Sequence, residues 1–429
     1  MRFTRKGFIS KAVVLAAATA SVVSGCSSGG GSSGGKTTLT FWARSDESAF
    51  VQKIVDGFNS THDNITVKLT IVPAANYVQK FGAAAAGGSA PDIASIDLVY
   101  VPYFAKQGAL SDLSSTANGL SFKDTLSPAH MQAGKLDGKQ YALPFSADAS
   151  VLFYNKGLLK KAGLDPASPP KTFADIKTAA DKITALGGGN TGFYLSGACG
   201  GCNAFAFLPS IWAAGGDLLQ GDLGKQTASV SDSAPLKTLL QFLHGMQSAG
   251  DIAPSAKTDN GAQALQPFES GKVGMFVSGS FAYASIKQAA PKLDVGAINL
   301  YDATGSAYSS FAGGDDVAIP AGSKHKEQAK TFLTWLLQTD AQTKYLANQG
   351  VIPIRSDVSA SDYAGTGPVQ KVLADALNKG KSVYSLQTNA LYNDANGPWT
   401  AMFQKAVFGG DIDGALKDAQ AGFEKVLKS

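Results

Sequence analysis

The sequence predicts an α/β protein built on a mainly parallel sheet, and three observations carry the prediction. Ile65, Val67, Leu69 and Ile71 alternate strictly, the period of a half-buried strand. Just before them Phe50, Val51, Ile54, Val55 and Phe58 recur at helical spacing. Short apolar runs and amphipathic segments keep alternating afterwards, a pattern that lays helices on the faces of a parallel sheet. Ligands of such sheets gather beyond the carboxyl ends of the strands.

In order, Thr38–Trp42 reads as the first strand, Ser48–Asn59 as an amphipathic helix and Ile65–Ile71 as the second strand. A helix over Tyr77–Ala86 ends at Gly87-Gly88, and Pro91–Ile96 is a short apolar strand ending at Asp97. Tyr141–Phe145 leads into the strand Val151–Tyr154. Helical periodicity then dominates: Phe173–Ile183, Ser210–Ala214 and Pro235–Met246 each carry an apolar stripe. Val273–Val277, Val295–Leu300 and Asp316–Ile319 return to β character. Glu327–Gln349 reads as one long helix, and a last helix opens at Asp411 as N-cap. Trp212, Trp335 and Tyr154 fall on apolar faces and are expected in the core, whereas Asp340 and Asp375 are solvated.

The N-terminus carries a different signal. Arg2, Arg5, Lys6 and Lys11 precede an apolar run, Ala12–Val23, too short to span a bilayer comfortably. Small residues then lead to Cys26, an arrangement that resembles a bacterial lipobox, in which cleavage precedes a lipidated cysteine. An ordinary secretory leader with a chance cysteine is the alternative. Ser27–Gly35, almost pure Ser and Gly, has the composition of a flexible tether. Acyl chains contribute ~0.8 kcal/mol per buried methylene, so several of them anchor a protein durably. The expectation is a protein on the extracellular face of the cell membrane, or its periplasmic side in a Gram-negative cell.

Length and charge bound the rest. The 429 residues suffice for two or three core-forming domains. The formal charge of +4 belongs to the leader; without residues 1–25, 33 basic residues face 33 acidic ones. No basic patch for nucleic acid is implied. With Cys26 committed to lipid, Cys199 and Cys202 remain in C-x-x-C spacing. Outside the cell a structural disulfide is favoured over a redox motif. So small a loop gains only ~2 kcal/mol on the entropic account. His62, His130, His244 and His325 are scattered, so no metal site or cofactor is expected.

Several segments, taken in order, resemble the extracellular solute-binding proteins that serve carbohydrate ABC importers. Gly87-Gly88-Ser89-Ala90-Pro91-Asp92-Ile93 matches the family's G-x-x-P-D strand entry, followed by Tyr103-Phe104-Ala105 and Gly108-Ala109-Leu110. Tyr141–Pro144 with Leu152–Lys156 matches its Y-x-x-P and Y-N-K stretch. Met275-Phe276, Gly279–Ala282, Ala329–Leu336, Pro398-Trp399 and Ala415–Gln420 complete the likeness. The resemblance implies a two-lobed, periplasmic-binding-protein-like fold of type II, its lobes joined by a multi-strand hinge around a ligand cleft. Residues 1–25 would be the signal peptide and 26–36 the lipidated cysteine with its tether. Lobe I would hold 37–146 and 295–352, and lobe II 147–294 and 353–429, with crossings near 145–147, 294–296 and 352. It also implies a monomer, a carbohydrate ligand, an ABC permease as partner and no catalysis.

A pyranose presents hydroxyls, which suit carboxylates, and apolar faces, which suit aromatic rings. Asp148, six residues before Tyr154, falls where the family places a ligand carboxylate. Phe281, after Gly279-Ser280, falls where the family stacks a tryptophan, and here lacks the indole N–H. Asp97 with Tyr100, and Trp42, end predicted strands. Gly314 and Asp315 sit in a Gly-Gly-Asp-Asp turn, and Trp399 lies near another family stacking position. Ser280, Trp42, Asp97, Tyr100, Asp148, Phe281, Gly314, Asp315 and Trp399 are thus the expected ligand contacts. Each has a plain alternative: a core ring for Trp42, a surface loop for Asp148, a simple turn for Asp315. A polyol, polyamine or peptide is the rival ligand class. A glycoside hydrolase would need flanking carboxylates, and Glu47, Glu269, Glu327 and Glu424 stand in no recognisable acid–base motif.

Overall fold

The computed structural model describes residues 36–429, so the leader, Cys26 and nearly all of the tether lie outside the described residues. Eleven strands and nine helices position the site. The strands are β1 (Thr37–Arg44), β2 (Ile65–Val72), β3 (Ile93–Asp97), β4 (Ala142–Ala149), β5 (Val151–Asn155), β6 (Thr191–Tyr194), β7 (Val273–Ser278), β8 (Val295–Ile298), β9 (Leu300–Tyr301), β10 (Tyr308–Ala318) and β11 (Gly380–Lys381). The helices are α1 (Val51–Asn59), α2 (Ala74–Ala86), α3 (Phe173–Thr184), α4 (Gly200–Ala213), α5 (Ala234–Ser248), α6 (Phe281–Ala289), α7 (Lys326–Leu336), α8 (Pro368–Asn378) and α9 (Ile412–Leu427).

Two sheets divide the chain into two lobes. In the first, β2, β1 and β3 run parallel, β10 pairs antiparallel with β3, and β4, β9 and β11 join β10. The second sheet has the order β8-β5-β7-β6. Leu39, Phe41 and Ala43 of β1 point into a core shared with Ile54, Phe58 and Phe332, while a second core holds Tyr77, Phe81 and Phe104. Burying such large side chains contributes ~1.5–3 kcal/mol each.

The passages between the two sheets lie close to the expected crossings. β4 stays in the first sheet as far as Ala149, and the chain crosses at the buried Ser150 instead of after residue 146. β8 is still in the second sheet at 295–298, so the return falls at Asn299. Ile352 bridges Ala147 of β4, which puts the third crossing beside the first. Hydrogen bonding to β10 carries β4 those extra residues, a pairing invisible to local periodicity.

Local chemistry explains most elements. Asp411 caps α9 by accepting from the Gly414 N–H at 3.0 Å. Thr172 and Asp175 form a reciprocal capping box on α3. The long helix expected over 327–349 is broken. α7 ends at Leu336, Gln338 is extended, and a second short helix covers Thr339–Tyr345. Arg355 donates to the Leu337 carbonyl at 3.2 Å and the Gln342 amide to the Leu336 carbonyl at 2.9 Å, satisfying the freed acceptors. α4 is longer than the apolar stripe at 210–214 implied, beginning at Gly200 and tolerating Pro209 within it. Among the described residues no helix is long and apolar enough to cross a membrane.

Candidate functional site

Two cavities hold expected site residues. The first, about 550 Å³, is walled by the second lobe and the crossing strands. β4 brings Asp148 to it, α6 brings Phe281, α4 brings Phe205 and β10 brings Phe311. Phe205 and Phe311 stack with centroids 4.1 Å apart. Phe281 leaves 62% of its surface open, the largest exposed aromatic ring described. An exposed Phe on a cavity wall has no folding reason to be there and suits an apolar ligand face. Asp148 Oδ1 accepts from the Ser280 N–H at 2.5 Å and the Ser280 hydroxyl at 2.6 Å. Burial raises its pKa, with the Ser280 bonds acting in the opposite direction. Glu269 supplies a second carboxylate to the same wall and accepts from the Ser285 hydroxyl at 3.2 Å.

The second cavity, about 600 Å³, opens at the carboxyl ends of β1 and β3. Arg44, Asp97, Tyr100 and the exposed Tyr103 face segment 386–390 across it. The Tyr100 hydroxyl donates to Asn389 Oδ1 at 3.1 Å and accepts from Asn393 Nδ2 at 3.0 Å. Asn393 in turn lies against Gly201, on the wall of the first cavity. The Tyr100–Asn393 contact therefore stands between the two spaces.

Asp148 and Phe281 thus share one cavity, and Asp97 and Tyr100 the other. Both Asp97 oxygens are engaged, one by Arg44 at 2.8 Å and one by the Val99 N–H at 3.3 Å. The structure places the other expected contacts away from these two cavities. Ser280 does not line the first cavity; its donors are spent on Asp148. Trp42 packs partly buried against the second core, under the Lys80 ammonium at 4.8 Å, and lines neither cavity. Trp399 is 0% exposed and packs against Tyr392 and Phe403, so its faces are already covered. Gly314 has φ +108°, and a Cβ there would strike the Ser146 carbonyl, so its small size serves strand packing.

Asp315 is 2% exposed and belongs to a buried polar cluster beneath the second cavity. Its Oδ2 accepts from Ser95 at 3.1 Å and lies 3.3 Å from Arg44 Nε. Glu47 accepts from Ser95 at 2.9 Å and Ser146 at 3.3 Å. Burial, then the neighbouring Asp315, pushes the Glu47 carboxyl well above its ordinary range. Asp316 is raised for the same two reasons, and neither of its oxygens has a partner. Arg44 remains charged: burial opposes this, but Asp315 and Asp97 outweigh it.

Sequence reasoning missed Phe205, Phe311, Glu269, Arg44 and Asn389. Arg44 had a usable signal, standing at the carboxyl end of β1. Glu269 is one of only four glutamates. Phe205, Phe311 and Asn389 carried none, since they reach their walls only through tertiary packing. Cys199 and Cys202 are bonded to each other at the first turn of α4. No group of three or more His, Cys, Asp or Glu side chains able to hold a metal is present among the described residues.

The family profile of the bacterial extracellular solute-binding proteins matches residues 53–371. The diacetylchitobiose binding protein DasA of Streptomyces coelicolor is 26% identical, over 81% of this chain and 80% of its own. The multiple sugar-binding protein of Streptococcus mutans is 26% identical over 72% and 73%. Among solved structures, the GacH receptor of Streptomyces glaucescens superposes with a TM-score of 0.77 at 28% identity, covering 92% of this chain and 99% of that one. The cyclic alpha-maltosyl-1,6-maltose binding protein of Arthrobacter globiformis gives 0.76 at 26%, covering 92% and 100%.

Proposed function

We propose, starting from the fact that this chain belongs to the bacterial extracellular solute-binding proteins, that it captures a mono- or oligosaccharide between its lobes and delivers it to an ABC importer. The observation that carries the reading is the pairing of the Asp148 carboxylate with the open face of Phe281 on one cavity wall. A carboxylate takes sugar hydroxyls through charge-assisted hydrogen bonds, and the ring takes the apolar face of the pyranose. Relatives named for diacetylchitobiose, for multiple sugars and for a cyclic maltosyl-maltose support carbohydrate as the solute class. Sugar touching both lobes favours the closed form by its differential affinity, and the transmembrane subunits receive that form. The solute leaves chemically unchanged. The protein acts as a monomer, held at the membrane through lipid on Cys26.

Thermal-shift screening against mono-, di- and oligosaccharides tests this. A native-state ligand at 100 times its Kd stabilises by about 2.7 kcal/mol. A clear rise in Tm with at least one glycan, recovered intact, is expected. Flat melting curves across the panel, or release of new reducing ends, would refute the proposal.

One observation favours a second reading. Asp148 and Glu269 line the first cavity, and no Lys, Arg or His joins them there. That balance suits an amine-bearing solute such as a polyamine. Stabilisation by polyamines without response to any glycan would select it.

A further inference from the structure

One stretch of the first cavity's wall is a run of six consecutive residues, 261–266, that belongs to no sheet and joins a helix only at Gln266. Something else must fix its position. Asp259 does part of this: its Oδ1 accepts from the Gly261 N–H at 3.0 Å and the Gln263 N–H at 3.3 Å. Its Oδ2 takes the hydroxyls of Ser196 at 2.8 Å and Tyr194 at 3.0 Å, both on the same cavity.

The disulfide does the rest. Gly261 has φ +96°, and a Cβ placed on it would lie 2.9 Å from Cys202 Sγ and 3.1 Å from Cys199 Sγ. The Gly261 backbone therefore rests directly on the bonded sulfurs, and only glycine fits both the conformation and the space. Cys202 itself lines the cavity, and Cys199 caps α4 by accepting from the Cys202 N–H at 3.2 Å. Two unbonded thiols occupy more room than a bonded pair, and Gly261 is a close neighbour of these sulfurs.

We propose that the Cys199–Cys202 bond is a positioning element for the ligand cavity, holding wall 261–266 against the first turn of α4 through Gly261. This rests on reading the first cavity as the ligand site. Its importance lies in where the bond sits, since a bridge spanning so few residues adds little to global stability.

Hydrogen exchange on the oxidised protein and on the double variant Cys199→Ser/Cys202→Ser tests the idea. Serine is a good N-cap, so the variant keeps the start of α4 and loses only the covalent link. Amides of 261–266 should exchange at least tenfold faster, with β7 and α5 unchanged. On a glycan array, dissociation constants of whatever the wild type binds should rise at least fivefold while Tm moves little. Gly261→Ala in the oxidised protein should weaken binding similarly without touching the cysteines. Unchanged exchange at 261–266, or acceleration spread evenly over the whole lobe, would overturn the proposal, as would equal glycan affinity in both forms. If the wild type binds no glycan, the carbohydrate reading fails, and the exchange measurement still decides the role of the disulfide.

Discussion

Asp148 and Ser280 join the two sheets: the carboxylate at the end of β4 receives both the backbone and the hydroxyl donor of the residue that opens α6. The expected ligand acceptor is thus also a strut across the hinge. Its effect on binding has two parts, direct contact and lobe placement.

Asp148→Ala removes both parts, so glycan affinity should fall at least about tenfold, as loss of hydrogen bonds to a charged acceptor requires. Ser280→Ala removes one donor and leaves the acceptor free, so the loss should be smaller and similar for every ligand. Calorimetry on both variants separates the two; an unaltered Asp148→Ala affinity would exclude the carboxylate from the site.

Phe281 is open to solvent, so Phe281→Ala should leave the Tm of the free protein within about 2 °C, as surface substitutions usually do. Its stacking contribution, about 0.5–1.5 kcal/mol beyond area burial, should appear as a several-fold weaker Kd. A large loss of stability with intact binding would assign the ring to the fold instead.

His130 is fully buried, hydrogen-bonded to Ser127 and the Ser146 carbonyl, and burial lowers its pKa from 6.5 to about 4. The unfolded chain binds this proton first, so the contribution is present above pH 6.5 and is lost as pH falls toward 4, by about 3 kcal/mol at most. Denaturant titrations from pH 7 to pH 4 should show this loss, and His130→Gln should flatten it.

Asp316 has the opposite sign. Its folded pKa is raised by burial and then by Asp315, so its contribution is complete below the ordinary carboxylate range and declines as pH rises toward the folded value. Asp316→Asn, which mimics the protonated acid, should melt higher than wild type at pH 8, and the gap should narrow at pH 5. Equal curves at both pH values would mean that the buried carboxyl is not held neutral.

Cys26→Ser should release the protein into the medium or leave it unprocessed, because several acyl chains are needed for durable anchoring. Fractionation and immunoblotting read this directly; normal membrane retention would refute lipidation at that residue.

Local signals reached the strands β1, β2, β3, β5 and β7 and the stripe of α9, because each is written in adjacent residues at a period of two or 3.6. They failed at Gln338, where an apolar pattern runs through a helix break stabilised by Arg355 and Gln342 from elsewhere in the chain. Motif position pointed to Asp148 and Phe281, which the structure places on one cavity. Trp399 lies in the core: a tryptophan near a cleft and a tryptophan in a core look alike in sequence, and only burial distinguishes them. The surroundings of Asp315 were hidden for a related reason: its neighbour Arg44 is 271 positions away, and their ion pair exists only once β10 lies beside β3.

Residue order alone determined the α/β class, the family likeness and the charge balance of residues 26–429, since these depend on composition, period and motif sequence. Tertiary structure decided which side chains reach a cavity wall, which carboxyls burial pushes up in pKa, and that Gly261 lies against the Cys199–Cys202 sulfurs. Those properties depend on distances and desolvation between residues far apart in the chain, and neither quantity exists before the lobes fold.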